Sequence, residues 1–393
     1  MLKSYVQLVI KDIINRRLRS LLTVVGIIIG ITAIVSLFSV GQGLDNAIRE
    51  QFEKIGSNKI FVYAKGAGDP SSRTGLTDKD ADVLEAMSEF VYVTPYLIDK
   101  VNIEYANEKY FVNVIGYPDD DAEKRLTAYD VTLQSGRYFT KGEERVMIIG
   151  DAVSNTMFGK TVRLNSNLKL NSIKYRVIGI FDTFGNPEDD NSLFIPLDDA
   201  RNLLEKKDQL TMIELTLDDG VALDQTVRKV KRNLLRKRGN DNFEVVTPDQ
   251  ILKQFGIITV IIQVVLVGIG FISLIVGGIG IMNSMYTSVM ERTRQIGIMK
   301  AIGASNSTIM LLFLLEAGFL GLIGGIIGAV LGAAVGVGVG KLAAAAGFSL
   351  LKIKVNYGLI LFSILFSAVV GALSGALPSR QASKLKPIDA LRH

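Results

Sequence analysis

Residues 254–290 read QFGIITVIIQVVLVGIGFISLIVGGIGIMNSMYTSVM and contain no Asp, Glu, Lys or Arg. An α-helix needs about 20 apolar residues to cross a hydrocarbon core of ~30 Å, so this stretch is long enough, and its apolar heart at 257–282 spans with tilt. Outward from it, three more stretches share the property. Residues 21–40 lie in an uncharged run between Arg19 and Asp45, 308–340 carries Glu316 as its only charge, and 357–377 carries none. Four transmembrane α-helices are therefore predicted, with no comparable apolar stretch between the first and the second. The intervening residues, 41–255, are predicted to form a large domain outside the bilayer.

The first apolar run is too long for a signal peptide, and no small-residue cleavage site follows it, so it is predicted to be a retained span. Orientation follows from the basic residues near the span ends. Segment 1–20 carries Lys3, Lys11, Arg16, Arg17 and Arg19; loop 283–307 carries Arg292, Arg294 and Lys300; segment 378–393 carries Arg380, Lys384, Lys386 and Arg392. With four spans all of these fall on one side, which is predicted to be cytoplasmic. The opposite loop, 341–356, has Lys341, Lys352 and Lys354. Domain 41–255 holds 29 basic and 35 acidic residues, a net charge of −6, whereas the remainder holds 15 basic and 4 acidic, a net of +11. The sequence pI of about 9.1 is thus a sign of membrane topology, and no nucleic-acid partner is expected.

The domain at 41–255 is predicted to be extracytoplasmic and α+β. Leu44, Ile48, Phe52 and Ile55 recur at helical spacing, so the first span is expected to continue as a stalk, and Pro248 is placed to start a second stalk leading into span two. Strands are expected at 59–64, 110–116, 212–217 and 243–246, with helices at 78–88 and 222–238. Residues 118–209 are richer in short strands (145–149, 161–164, 175–181, 193–195). They are expected to form a mostly-β subdomain inserted in an α/β one.

Composition excludes much chemistry. The chain has no cysteine and one histidine, His393, so disulfides, thiolate sites, Ser-His-Asp triads and multi-histidine metal sites are ruled out within it. The stretch SNTMFGKT at 154–161 imitates the end of a phosphate-binding loop, but Ser154 replaces the first glycine, and a turn into a strand is the expected reading. Glu188, Asp189 and Asp190 lack the spaced ligand pattern of a calcium loop and are expected to be a solvated loop. The basic run 229–238 is expected to be a solvated helix face. The outer domain offers no nucleophile–base set, which weakens a membrane-tethered enzyme as a reading.

The loop 291–304 reads ERTRQIGIMKAIGA, and residues 378–392 read PSRQASKLKPIDALR. The first closely resembles the ERTREIGIRKALGA motif of MacB-, LolC- and FtsX-type ABC transporter permeases, and the second resembles their terminal P-x-R-x-A-x-x-x-x-P-I-x-A-L-R. Gly136-Arg137-Tyr138-Phe139 is similar to the GRFF signature of their outer domain. The resemblance covers the whole chain in order. It implies a permease subunit that couples ATP hydrolysis by a separate ATPase subunit to movement of its outer domains, for export or extraction of a peptide, drug or lipoprotein-like substrate. The alternative it carries is an FtsX-like scaffold that relays ATPase motion to an outer hydrolase. It further implies a homodimer with two ATPase subunits, a place in the cell membrane with both termini cytoplasmic, and an extracytoplasmic adaptor as a further partner. ATP and Mg would sit on the partner, and no catalytic, cofactor-binding or metal-ligating residue is expected in this chain.

By the same resemblance the loop forms a coupling helix on the ATPase, made of Glu291, Arg292, Arg294, Ile296, Gly297, Ile298, Met299, Lys300, Gly303 and Ala304. Arg292, Arg294 and Lys300 are expected to make charge-assisted contacts to the partner and the membrane surface. Ile296, Ile298, Met299 and Ile302 are expected to supply an apolar face for a partner groove. Gly297 and Gly303 allow close approach and a turn before span three. Met299 stands where the family more often has a basic residue. Glu316, an ionisable group inside a span, is expected to be an intramembrane anchor rather than a proton relay. The glycines between 321 and 340 recur at small-xxx-small spacing and favour close helix packing, within the chain or between two copies.

Overall fold

A computed structural model describes residues 17–56, 58–65, 75–127, 131–218 and 220–391. Most of the expected N-terminal segment 1–20, with Lys3, Lys11 and Arg16, lies outside the described residues, as do Arg392 and His393. The chain divides into two compact units, one made of residues 46–256 with 343–350 and one of the remaining residues.

Among the described residues, four helices are long and apolar enough to cross a membrane. They are α1 (Arg17–Ile55), and three that the sequence places after the large domain and that are numbered below in chain order, Pro248–Glu291, Asn306–Ala345 and Tyr357–Ser383. The first continues to Ile55 and the second begins at Pro248, so each expected stalk is one helix with its span.

Among the described residues, the unit at 46–256 is built on ten strands. Its elements in order are β1 (Lys59–Ala64), α2 (Asp78–Glu85), β2 (Phe90–Tyr105), β3 (Glu108–Tyr117), α3 (Ala122–Thr127), β4 (Leu133–Gly136), β5 (Val146–Ile149), α4 (Asp151–Asn155), β6 (Asn167–Leu170), β7 (Ile173–Phe181), α5 (Pro187–Asp190), β8 (Leu193–Pro196), α6 (Leu197–Leu203), β9 (Met212–Leu217), α7 (Leu223–Arg238) and β10 (Phe243–Val246). The strand order is β10-β1-β9-β2-β3-β8-β5-β7-β4, with β6 pairing β2 and β7. The long strand β2 joins the two parts. Its first half runs antiparallel to β9 (Thr94 opposite Glu214), and its second half forms a hairpin with β3 (Val101 opposite Val112). Helices α2 and α7 pack on the first part, where Leu84, Val230 and Leu234 are buried against Ile60 and Val62.

Residues 118–209 hold β4 to β8, as a mostly-β insert requires, but they share a core with the rest. Met147, Ile149 and Val177 of the insert belong to the same apolar cluster as Ile60 and Leu215, while a second cluster gathers Tyr117, Phe139, Ile148, Phe181 and Phe194. Parallel pairing of β3 with β8 carries the core across. One expected strand is corrected. Residues 161–164 are not a strand, because Val162 exchanges hydrogen bonds with Ser154: its N–H donates to the Ser154 carbonyl at 2.9 Å and its carbonyl accepts from Ser154 Oγ at 2.9 Å. The segment is pinned to α4 rather than to a neighbouring strand.

In the span unit, α8 (Pro248–Glu291) is followed by α9 (Thr293–Ala301), α10 (Asn306–Ala345), α11 (Tyr357–Ser383) and α12 (Pro387–Leu391). Apolar side chains from α1 (Ile27, Ile31, Val35), α8 (Leu274, Ile281, Met285), α9 (Ile296) and α10 (Phe313, Ala317, Leu320) form its core. Small residues set the spacing. A Cβ placed on Gly321 would stand 2.3 Å from the Ser367 carbonyl oxygen of α11, and one on Gly328 would stand 2.9 Å from the Ile28 carbonyl oxygen of α1. Helix α10 thus presents Gly324, Gly328 and Gly332 to α1 and Gly321 and Gly325 to α11. These small-xxx-small rows are used within the chain. By contrast α8 is apolar nearly all round and largely exposed, with Val260, Val264, Phe271 and Val276 each at least half exposed.

Candidate functional site

The sequence-marked loop folds as α9, between the end of α8 and the turn into α10. That turn is made by Gly303 at φ +99°, a left-handed conformation that glycine adopts without cost. The helix is half buried and half free, and the split follows its 3.6-residue period. Ile296 is fully buried in the span-unit core, Gly297 is buried, and Met299 and Ala304 are partly buried against the same core. On the other side Arg294, Ile298 and Ile302 recur at four-residue intervals and are exposed, Ile302 at 82%. Met290, one turn before, is 76% exposed.

Two of the three expected partner-facing cations are engaged inside the chain. Arg292 Nη1 pairs with Glu316 Oε2 on α10 at 3.3 Å, both side chains nearly buried. Lys300 Nζ donates to the main-chain carbonyls of Ser383 and Leu385 at 2.6 and 2.7 Å. Ser383 ends α11, so the ammonium satisfies carbonyls that the helix leaves unpaired, at the end where a cation is favoured. The expectation that Ile296 and Met299 belong to the free apolar face is therefore corrected, because they point to the core and fix the helix. Arg292 and Lys300 likewise anchor the loop from below. What remains outward is a stripe headed by Arg294, followed by Ile298 and Ile302. Glu291, at the end of α8, is exposed on the same stretch.

Other sequence-marked groups are absorbed by the fold. In the phosphate-loop imitation, the Gly159 N–H donates to the Glu108 carboxylate at 3.3 Å, so the amide that would face an anion faces one already. Asp190 accepts from Thr183 Oγ1 and from the Phe184 N–H, and Asp189 accepts from the Asn186 amide, which caps the short α5. Burial pushes the Asp189 carboxyl above its usual range. Among the described residues no group of His, Asp and Glu is arranged to hold a metal ion. In the basic helix α7, Arg238 pairs with the buried Asp80 and Lys229 with Glu89 at 2.6 Å, so part of the run serves the core.

Sequence reasoning missed a polar chain inside the outer unit. Lys59 Nζ donates to Glu214 Oε1 at 3.0 Å, and Tyr96 Oη donates to Glu214 Oε2 at 3.0 Å, with lysine and glutamate almost fully buried. Burial lowers the Lys59 ammonium and raises the Tyr96 hydroxyl. Alternation in β1 and β9 does place Lys59 and Glu214 among apolar residues, which was the available signal. The pairing across β1 and β9 lies too far apart in sequence to be read.

Among the described residues, four membrane-length helices, with a large α/β domain between the first and second and a helical loop between the second and third, make the architecture of a multi-pass membrane protein. The comparisons specify it. A model described as MacB-like periplasmic core domain matches residues 20–233, and one described as FtsX-like permease C-terminal matches residues 250–387. An uncharacterized ABC transporter permease of Methanocaldococcus jannaschii is 34% identical over 385 residues, covering 97% of this chain and 96% of the relative. A macrolide export ATP-binding/permease protein MacB of Bdellovibrio bacteriovorus is 30% identical over 96% of this chain and 60% of its own length, so this chain spans about 60% of that relative. Among solved structures, the periplasmic region of MacB from Actinobacillus actinomycetemcomitans is similar at 20% identity and a TM-score of 0.46, over 53% of this chain and 97% of that one. The chain belongs to the MacB/FtsX-type family of ABC transporter permeases. It is a membrane protein, and its large α/β domain between the first and second membrane-length helices is the family's extracytoplasmic domain.

Proposed function

We propose that this permease receives work from a separate ABC ATPase subunit through α9 and transmits it along α1 and α8 to the extracytoplasmic domain. The observation that carries the reading is the division of α9. Arg292, Ile296 and Lys300 hold the helix to α10, the core and the end of α11, while Arg294, Ile298 and Ile302 are left outward. A lever must be rigid on one side and free on the other to transmit force. Burying one isoleucine of the free stripe in a partner groove contributes roughly 1.5–3 kcal/mol, and a guanidinium adds charge-assisted hydrogen bonds. The continuity of α1 through Ile55 and of α8 from Pro248 supports a stiff path outward.

In this reading the loop and both termini are cytoplasmic, two copies of the chain work with two ATPase subunits, and ATP and Mg are bound by those subunits. The Arg292–Glu316 pair makes Glu316 a structural anchor, since its carboxylate is held by a cation rather than open to a proton path. Substrates handled outside the inner leaflet fit a chain whose span unit is packed tightly along its glycine rows. The Bdellovibrio relative's name speaks of macrolide export, and export of a drug, peptide or lipoprotein-like substrate is proposed here in that class.

The native chain lacks cysteine, so one introduced at Ile302 can carry a photoreactive benzophenone without background. In membranes holding the permease and the ABC ATPase of the same system, illumination is expected to join the two chains. A cysteine at Ser172, in the outer domain, serves as the control. Equal yields at both positions, or none at Ile302, would refute docking on α9.

A further inference from the structure

Helix α12 packs against α9 and is fixed there by two means. Ala390 is buried, and Lys300 of α9 holds the carbonyls of Ser383 and Leu385, which flank the turn joining α11 to α12. The two short helices are therefore packed together and tied by hydrogen bonds at their contact. Yet α12 leaves Ile388 80% exposed, close to the 82% of Ile302 on α9. Lys384 and Lys386, on the turn between α11 and α12, are exposed as well, and no ion pair holds either of them among the described residues.

We infer that α12 is a second docking element for the ATPase subunit, with Ile388 extending the apolar stripe of Ile298 and Ile302 and with Arg294, Lys384 and Lys386 as its basic rim. The inference rests on the α9 reading above. The partner it calls for has an apolar groove edged by carboxylates. Continuity selects that occupant: α12 is locked to α9, so a protein seated on one helix moves against the other. A single nine-residue helix gives a point of contact, whereas a second element beside it gives resistance to rotation, which a lever needs. Apolar side chains at the centre with charges at the edge is the usual anatomy of such an interface.

The test is the affinity of the purified ATPase subunit, in ATP, for the full-length permease in lipid nanodiscs. Ile298→Asp and Ile388→Asp are each expected to weaken binding about tenfold or more, as truncation of a central apolar anchor does. Phe111→Asp, on the outer domain, is expected to bind as the native chain does. Because Ile388 is so exposed, its variant should melt with the native chain by circular dichroism. A benzophenone on a cysteine at Ile388 gives an independent reading and should capture the ATPase. If Ile298→Asp weakens binding while Ile388→Asp does not, and the Ile388 probe captures only lipid, α12 is a membrane contact and the inference falls while the α9 reading stands. If neither variant weakens binding, the α9 reading itself fails.

Discussion

Replacing Gly321 with alanine tests the packing on which the lever depends. The added Cβ would stand 2.3 Å from the Ser367 carbonyl oxygen, where ordinary contact begins at about 3.4 Å. Helices α10 and α11 must then part locally by about 1 Å, and the clash is with backbone, so no side-chain rotation relieves it. Parting also loosens Gly371, whose own Cβ would lie 2.9 Å from Gly321 Cα. Overpacking of this kind costs about 1–3 kcal/mol, against the roughly 1 kcal/mol that alanine gains over glycine in a helix. With the obstacle fixed, the clash outweighs the gain, and a net loss of about 1 kcal/mol corresponds to a fall in melting temperature of roughly 2–4 °C. The matched control is Gly338→Ala on the same helix, where a Cβ meets nothing within 4 Å. That variant is expected to melt at the native temperature or slightly above. The chain has no tryptophan, so helix melting in detergent is best followed by circular dichroism. A Gly321→Ala protein as stable as Gly338→Ala would refute the claim that α10 and α11 are in backbone contact.

Three further outcomes follow from the same structure. Glu316→Gln removes one partner of a nearly buried ion pair and is expected to destabilise the span unit by about 3–5 kcal/mol in melting, without changing the pH dependence of coupled ATP hydrolysis; a shifted pH profile would instead make Glu316 a proton carrier. The Arg137 guanidinium holds the Glu143 carboxyl down to about 2. Its contribution is therefore full above the usual carboxylate value near 4.5 and lost as pH falls toward 2, so the melting difference between native and Glu143→Gln proteins should be under about 1 kcal/mol at pH 7 and vanish near pH 2. Single cysteines at Ser172 and Gln295, both exposed, should be labelled from opposite sides of sealed cells, and labelling of Gln295 from outside would invert the proposed orientation.

Much of the fold was legible because burial imposes a period on sequence. Strands β1, β9 and β10 lie where their β-branched runs placed them, and the four long apolar stretches are helices. The hairpin β2–β3 was read only in its second strand, since Pro95 and Asp99 interrupt the row that holds Leu97, Val101 and Ile103, and Lys100, Asn102 and Glu104 make the opposite face polar. Residues 161–164 read as strand because β-branching cannot distinguish pairing to a sheet from pinning by Ser154. At α9 the motif located the helix, but four apolar residues were pooled as one face. Helical period alone separates them: Ile298 and Ile302 align with Arg294, while Ile296 and Met299 turn to the opposite side. The partners of Arg292 and Lys300 lie on α10 and at the end of α11, and only the folded chain brings these groups together.

The central claim is that this permease and a separate ATPase subunit are coupled through the outward stripe of α9, so that hydrolysis in the ATPase drives the permease. Its most direct test is the ATP hydrolysis rate of the purified ATPase subunit with and without the permease in lipid nanodiscs, using the native chain and Arg294→Glu. The rate should depend on the native permease and return to that of the isolated ATPase with Arg294→Glu, while the variant melts normally. A rate that ignores the permease, or one that the charge reversal leaves unchanged, would contradict the account.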